Sequence, residues 1–273
     1  MDRTTERAYA KLNLTLGVLY KRSDGYHALD SIMQRIDLYD TVTLERSRGV
    51  TVVSAGMLLP YDNTVRRAAE RYRALTGRGA YIRVEKRIPA ESGMGGGSAD
   101  AAATLLGMQK LYGEADERTL FEIGASVGAD VPFCMRGGTM RAEGVGDRLT
   151  PLRGMPLTLL VAMPARRGST KRLFSGLPLP RPMPDNAACI RALAAGDRAA
   201  LAATLFNALE EPATGLVPEI GEIRQELLRQ GALAASMTGS GSAVFGLFES
   251  RASAETALQA MKGLPFARNC ESM

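Results

Sequence analysis

The sequence predicts a mixed helix–strand protein built as two domains, and three observations lead there. The chain has 273 residues, enough for a substantial core and for one large or two ordinary domains. Stretches in which every second residue is apolar are interspersed with stretches of three-to-four spacing, so strands and helices are interleaved. Between Leu149 and Pro156 two prolines and a glycine interrupt both patterns, which divides the chain into residues 1–153 and 154–273.

Taken in order, Ala8–Leu19 reads as a strand. Leu12, Leu14, Leu16 and Val18 share one face and Lys11, Asn13 and Thr15 the other, a polar face that ordinarily meets water. Asp24-Gly25 is a turn signal, and strand-like pieces follow at Asp40–Arg46 and Val50–Ser54. A helix opens near Asp62-Asn63, carries Val65, Ala68, Tyr72 and Leu75 on its apolar face, and stops at Gly77. The strand Tyr81–Glu85 leads into a glycine-rich loop, and a helix marked by Ala101, Leu105, Met108 and Tyr112 leaves it. Leu120, Ile123 and Val127 mark the next helix, which Gly128 ends just before Ala129-Asp130-Val131-Pro132. Gly137 to Leu149 has the form of a hairpin with Gly144 and Gly146 at its turn.

The second half begins with a buried-looking strand, Leu157–Met163, and a surface excursion, Pro164–Pro184. Helices are expected at Ala199–Glu211, Pro218–Gln230 and Ala252–Met261, and a last strand at Phe266–Cys270. The strands Ala235–Met237 and Ala243–Phe248 flank a second glycine loop, Thr238-Gly239-Ser240-Gly241-Ser242. There is no internal repeat.

Composition narrows the function classes. At 45% hydrophobic and 23% charged residues the chain is an ordinary soluble globular protein. No apolar run approaches the ~18 residues of a membrane helix, and Met1-Asp-Arg-Thr-Thr-Glu-Arg lacks a signal-peptide core. Cys134, Cys189 and Cys270 are odd in number and in no metal-ligand spacing, which predicts a reducing, cytoplasmic setting. Thirty-four basic against twenty-nine acidic residues give a net charge of +5, spread in short clusters and without Trp or an aromatic ribonucleoprotein motif. This favours a small anionic substrate over nucleic acid or a membrane. A single histidine excludes multi-histidine metal sites.

The chemistry concentrates in Pro89, Ala90, Glu91, Ser92, Gly93, Met94, Gly95, Gly96, Gly97, Ser98 and Ala99. Four glycines within five positions let backbone N–H groups turn inward and let an anion approach without a Cβ in the way. The helix that follows adds free N–H groups and the positive end of its dipole. The loop is therefore a phosphate cradle. It is neither a Walker loop, since Ser98-Ala99 follows Gly97 without Lys-Ser/Thr, nor the dinucleotide fingerprint, since Ser98 stands where a third glycine belongs.

Three stretches in this order resemble the motifs of the GHMP kinases: Ala10-Lys11-Leu12-Asn13-Leu14, the Pro89–Ala103 loop, and Thr238-Gly-Ser-Gly-Ser-Ala-Val-Phe. Within that family, Arg22-Ser-Asp-Gly25-Tyr26-His27, Gly128-Ala-Asp130-Val-Pro132 and Ala142-Glu143-Gly144-Val-Gly146-Asp147 resemble the branch whose substrate is a cytidine diphosphate derivative of methylerythritol. The resemblance runs from Tyr9 to about Phe248. It implies an α+β fold with an N-terminal domain like ribosomal protein S5 domain 2, which binds ATP, and a ferredoxin-like C-terminal domain. The implied reaction carries the ATP γ-phosphoryl, with Mg²⁺, to the 2-hydroxyl of the methylerythritol moiety in non-mevalonate isoprenoid biosynthesis.

The resemblance also distributes roles. Asp130 becomes the base facing the attacking hydroxyl, with Lys11 beside it; a lysine there holds a carboxylate ionised and stabilises charge developing on oxygen. Asn63 and Lys86 fall on the nucleotide side. Asn13 contacts the methylerythritol end, and Tyr26, His27, Thr170 and Phe174 form the cytidine pocket, where stacking and base-edge hydrogen bonds read the base. Thr238, Gly239, Ser240 and Gly241 line the site from the C-terminal domain. No protein ligand of the metal is assigned. Glu91 departs from the small or apolar residues of many relatives and is expected to point away from the phosphates. Two other readings stay open: another GHMP small-molecule kinase, such as homoserine or mevalonate kinase, and a non-catalytic S5-like RNA-binding module.

Overall fold

The structure is a computed structural model. It describes residues 2–55 and 58–273, with the side chain of Lys171 left aside. The chain packs as two compact units, Met1–Ala10, Leu38–Ala90 and Gly95–Gly137 in one, and Lys11–Asp37, Glu91–Met94 and Gly138–Met273 in the other.

Two long strands, β1 (Arg3–Lys21) and β2 (His27–Ser47), contribute to both units. In the first unit they are joined by β3 (Thr51–Ala55) and β4 (Gly79–Glu85); β4 pairs antiparallel with β2 and parallel with β3. Four helices pack with them: α1 (Thr64–Thr76), α2 (Gly96–Tyr112), α3 (Glu117–Val127) and α4 (Val131–Arg136). The start signals work locally. Asn63 and Asp116 cap α1 and α3 through their side chains, and Gly77 closes α1 in the left-handed region. The apolar face of α1 buries Val65, Ala68, Ala69 and Tyr72, each large side chain stabilising by ~1.5–3 kcal/mol. Leu75, expected on that face, is exposed. Helix α2 is buried almost all round, from Ala99 to Leu111; its alanines let neighbouring elements approach closely.

In the second unit β5 (Thr139–Gly144) pairs with β2 and with β6 (Arg148–Pro151), the hairpin read from the glycines. A separate four-stranded antiparallel sheet is built from β7 (Thr158–Met163), β9 (Ala234–Met237), β10 (Val244–Phe248) and β11 (Phe266–Glu271), in the order β11-β7-β10-β9. With α9 (Glu219–Arg229) before β9 and α10 (Arg251–Ala260) after β10, this is the βαββαβ, ferredoxin-like arrangement. Its core joins Leu160, Ala162, Ile220, Ile223, Leu227, Val244, Phe248, Ala254 and Ala257.

Three expectations are corrected. The excursion Pro164–Pro184 contains α5 (Thr170–Ser175), whose Leu173 is buried, and α6 (Asn186–Ala195) follows it. The helix expected over Ala199–Glu211 is broken into α7 (Arg198–Ala202), the two-residue β8 (Phe206–Asn207) and α8 (Glu210–Leu216). Asn207 causes the break: its Nδ2 donates to the carbonyls of Met237 and Gly239, and the segment pairs in parallel with Thr15 and Leu16. Lastly, Lys11, Asn13 and Thr15 are not solvated but nearly fully buried, so β1 is covered on both faces there.

Candidate active site

The loop between β4 and α2 takes its shape from its glycines. Gly93 and Gly95 lie at φ 77° and 71°, where a side chain is strained. A Cβ on Gly93 would collide with the carbonyl oxygen of Thr238, and one on Gly239 would lie 2.7 Å from that of Gly93. The Ser242 and Ala243 amides donate to the Glu91 and Ser92 carbonyls at 3.3 and 3.1 Å, so the second glycine loop grips the first by its backbone. Gly96 has no such backbone demand; what excludes a side chain there is Ile88, whose Cγ2 would lie 3.0 Å from a Cβ. Glu91 adopts φ 54° and is exposed.

Gly95 is the N-cap of α2 and no side chain caps this helix, in contrast to α1 and α3. Its first-turn N–H groups have the geometry and the dipole to receive an anion. Ser98 is the third residue of α2, and the Gly97 carbonyl accepts a 2.6 Å bond from Thr64 Oγ1, which ties α1 to this end. Asn63 spends its side chain locally: Oδ1 accepts from Arg66 N and Nδ2 donates to the Pro60 carbonyl.

Lys86 does not extend into solvent. Its ammonium is ion-paired with Asp40 and, at 2.6 Å, with Asp100, all three side chains being buried. Asp40 also accepts from the amides of Arg87 and Ile88, at the entry to the glycine loop. Burial opposes the Lys86 charge, but the Asp100 and Asp40 carboxylates outweigh it and raise its pKa. Burial, and the Asp40 charge against Lys86, push Asp100 up to about 7. Neither aspartate was singled out from the sequence, since nothing local marks residues 40, 86 and 100 as partners.

Asp130 occupies the N-cap position of α4 in a helical conformation and its side chain does not cap the helix, so the usual structural use of an aspartate there does not apply. In the second unit, Lys11 Nζ donates to Asn13 Oδ1 at 2.7 Å, and the Asn13 amide N–H donates to Thr238 Oγ1 at 3.0 Å. The His27 and Phe174 rings lie 5.0 Å apart and tilted by 34°, within the range of favourable aromatic pairs. Burial and the Lys21 charge lower the His27 pKa. Tyr26 is exposed, and Thr170 shares a 2.6 Å hydroxyl bond with Ser240. The structure thus brings together Lys11, Asn13 and Thr238, His27 and Phe174, and the two glycine loops.

A glycine-rich loop entering a helix that no side chain caps, on a strand–helix domain followed by a ferredoxin-like one, defines the GHMP type of small-molecule kinase. The family model of the GHMP kinase N-terminal domain matches residues 63–138 and that of the C-terminal domain residues 189–264, and the chain belongs to this family. It is 41% identical over 273 residues to 4-diphosphocytidyl-2-C-methyl-D-erythritol kinase of Acetivibrio thermocellus, covering 96% of each chain. It is 38% identical to the protein of that name from Caldicellulosiruptor saccharolyticus, covering 94% of this chain and 92% of the relative. A crystal structure of 4-(cytidine 5'-diphospho)-2C-methyl-D-erythritol kinase superposes with a TM-score of 0.85 at 36% identity, over 98% of this chain and 99% of the other.

Proposed function

We propose that the chain transfers the γ-phosphoryl of ATP to the 2-hydroxyl of 4-diphosphocytidyl-2-C-methyl-D-erythritol, a step of non-mevalonate isoprenoid biosynthesis. The observation that carries the choice of substrate is the His27–Phe174 pair. A cytosine needs an aromatic platform and a reader of its edge, and homoserine or mevalonate needs neither.

In this reading the uncapped start of α2 and the glycine backbone bind the triphosphate. Pro89 to Ala99 form that cradle, with Asn63 and Lys86 supporting it from below. Asp130 accepts the proton of the 2-hydroxyl, and the Lys11 ammonium offsets charge on the alkoxide and the transferring phosphoryl oxygens. Asn13 orients the methylerythritol, and Tyr26, His27, Thr170 and Phe174 hold the cytidine. Thr238, Gly239, Ser240 and Gly241 shape the acceptor side. Mg²⁺ bound with ATP supplies neutralisation of the β- and γ-phosphoryl oxygens. Among the described residues no group of three His, Cys, Asp or Glu side chains could hold a metal.

The two family-model matches end at 138 and begin again at 189, which supports a domain boundary at 153/154. No described helix is long and apolar enough to cross a membrane. Cys134, Cys189 and Cys270 are buried thiols outside any disulfide, which supports a cytoplasmic location. The deciding experiment is a coupled ADP-release assay with the cytidylylated methylerythritol, homoserine and mevalonate side by side. Turnover with the first alone is expected; turnover with either of the others instead overturns the substrate assignment.

A further inference from the structure

Lys11 is almost wholly buried, so its position depends on what receives its N–H donors. One acceptor is Asn13 Oδ1, at 2.7 Å. An asparagine amide presents an acceptor on one side and donors on the other, and nothing within the side chain decides which faces the lysine. The Lys11 ammonium, which only donates, and the Thr238 hydroxyl at 3.5 Å call for the oxygen, and Ser31 on β2 holds the opposite end of the amide. The Ser31 hydroxyl donates its proton to the Thr15 carbonyl, at 2.5 Å. It is left only lone pairs towards Asn13, and it accepts from Asn13 Nδ2 at 2.8 Å. The amide nitrogen is thereby fixed on the Ser31 side and the oxygen on the Lys11 side.

The arrangement is held at both ends. The Thr15 hydroxyl accepts from Ile32 N at 2.9 Å and donates to Asn186 Oδ1 at 2.6 Å, and the Asn13 main-chain N–H is held by Thr238 Oγ1 from the second glycine loop. Ser31, Thr15 and Thr238 are all buried, so water does not substitute for a missing partner.

We infer that Ser31 is a positioning residue for Lys11, acting through the orientation of the Asn13 amide, with Thr238 as a second anchor of the same unit. This rests on the reading of Lys11 as the cation at the reacting oxygens. Without the Ser31 hydroxyl the Asn13 Nδ2 loses its acceptor, so the amide is no longer anchored at that end and rotates more freely against Lys11. In the flipped state two donors oppose each other and the ammonium moves away.

The test is steady-state kinetics on Ser31→Ala, Ser31→Thr and Thr238→Val, alone and on a Lys11→Met background, with melting temperatures measured in parallel. Ser31→Ala is expected to lower kcat by roughly 10- to 100-fold, the scale of an ångström-level misplacement, with the KM for ATP nearly unchanged. Ser31→Thr, which keeps the hydroxyl, restores most of the loss. On the Lys11→Met background Ser31→Ala has little further effect, because the two act as a unit. Thr238→Val gives the same pattern and stands in if Ser31→Ala does not fold. Full kcat in both folded variants, or an equal loss with and without Lys11, overturns the inference. Near-normal turnover of Lys11→Met alone would instead remove the role given to Lys11, a separate failure.

Discussion

Asp100 lies 2.6 Å from Lys86, yet the charge of that lysine is already shared with Asp40, and Asp100 Oδ1 is buried without a partner. Two carboxylates thus divide one ammonium near the start of α2.

The pH dependence of stability follows from this. The Asp100 pKa is raised from 3.8 to about 7, so over that interval the folded protein keeps a proton that the unfolded chain has released. The stabilising contribution is complete below about pH 4 and lost as pH rises through about 7. Asp100→Asn imitates the protonated form. Its melting temperature, relative to the parent, should rise from pH 5 to about pH 7 and level off above that. A difference that does not change with pH would show that Asp100 does not titrate in this window.

The phosphate loop makes a second prediction. At Gly96 a Cβ would meet Ile88 Cγ2 at 3.0 Å and lie 3.5 Å from Lys86 Nζ. Gly96→Val therefore crowds the helix start where the phosphates are proposed to bind, while the backbone φ is tolerated. ATP Kd should rise roughly tenfold or more, about 1.4 kcal/mol, with the fold retained by circular dichroism. Calorimetry returning the parent Kd for a folded variant would reduce the loop to a connection.

Catalysis is expected to depend on Lys11 and Asp130 in the transition state far more than in the ground state. Asp130→Asn and Lys11→Ala should each lower kcat by ~10²–10⁴-fold, with small changes in the KM for ATP. Pre-steady-state measurement of the phosphoryl-transfer step separates this from slowed product release. Either variant turning over normally removes the role assigned to that residue.

Phe174 tests the cytidine site. It pairs with His27 and is partly buried against the C-terminal core, so the proposed binding role is superimposed on a packing one. Phe174→Ala should weaken binding of the cytidylyl substrate by roughly 5- to 150-fold, the worth of one base stack at ~1–3 kcal/mol. ATP affinity should stay unchanged. The stability loss should fall short of the ~3–5 kcal/mol of a fully buried phenylalanine. A large fall in melting temperature with unaltered substrate Kd would return Phe174 to the core alone.

What the sequence determined by itself is local. Asn63, Gly77 and Gly128 bound their helices where the pattern predicts, because a cap satisfies N–H or C=O groups within four residues of itself. The glycine loop was legible for the same reason: its conformation and the bare start of α2 are properties of consecutive residues. Tertiary structure decided whatever depends on neighbours distant in sequence. The alternation in β1 predicted a solvated Lys11–Asn13–Thr15 face, but packing covers both sides of the strand and turns those side chains into a hydrogen-bonded unit with Ser31 and Thr238. The helical pattern over Ala199–Glu211 gave way where Asn207 found carbonyl partners at Met237 and Gly239. The resemblance placed Lys86 on the nucleotide side, and only the fold supplied Asp40 and Asp100 as its partners. The physical reason is common to all three. A buried polar group must find its partner, and that partner is chosen by which strands and helices lie alongside, information that no window of the sequence contains.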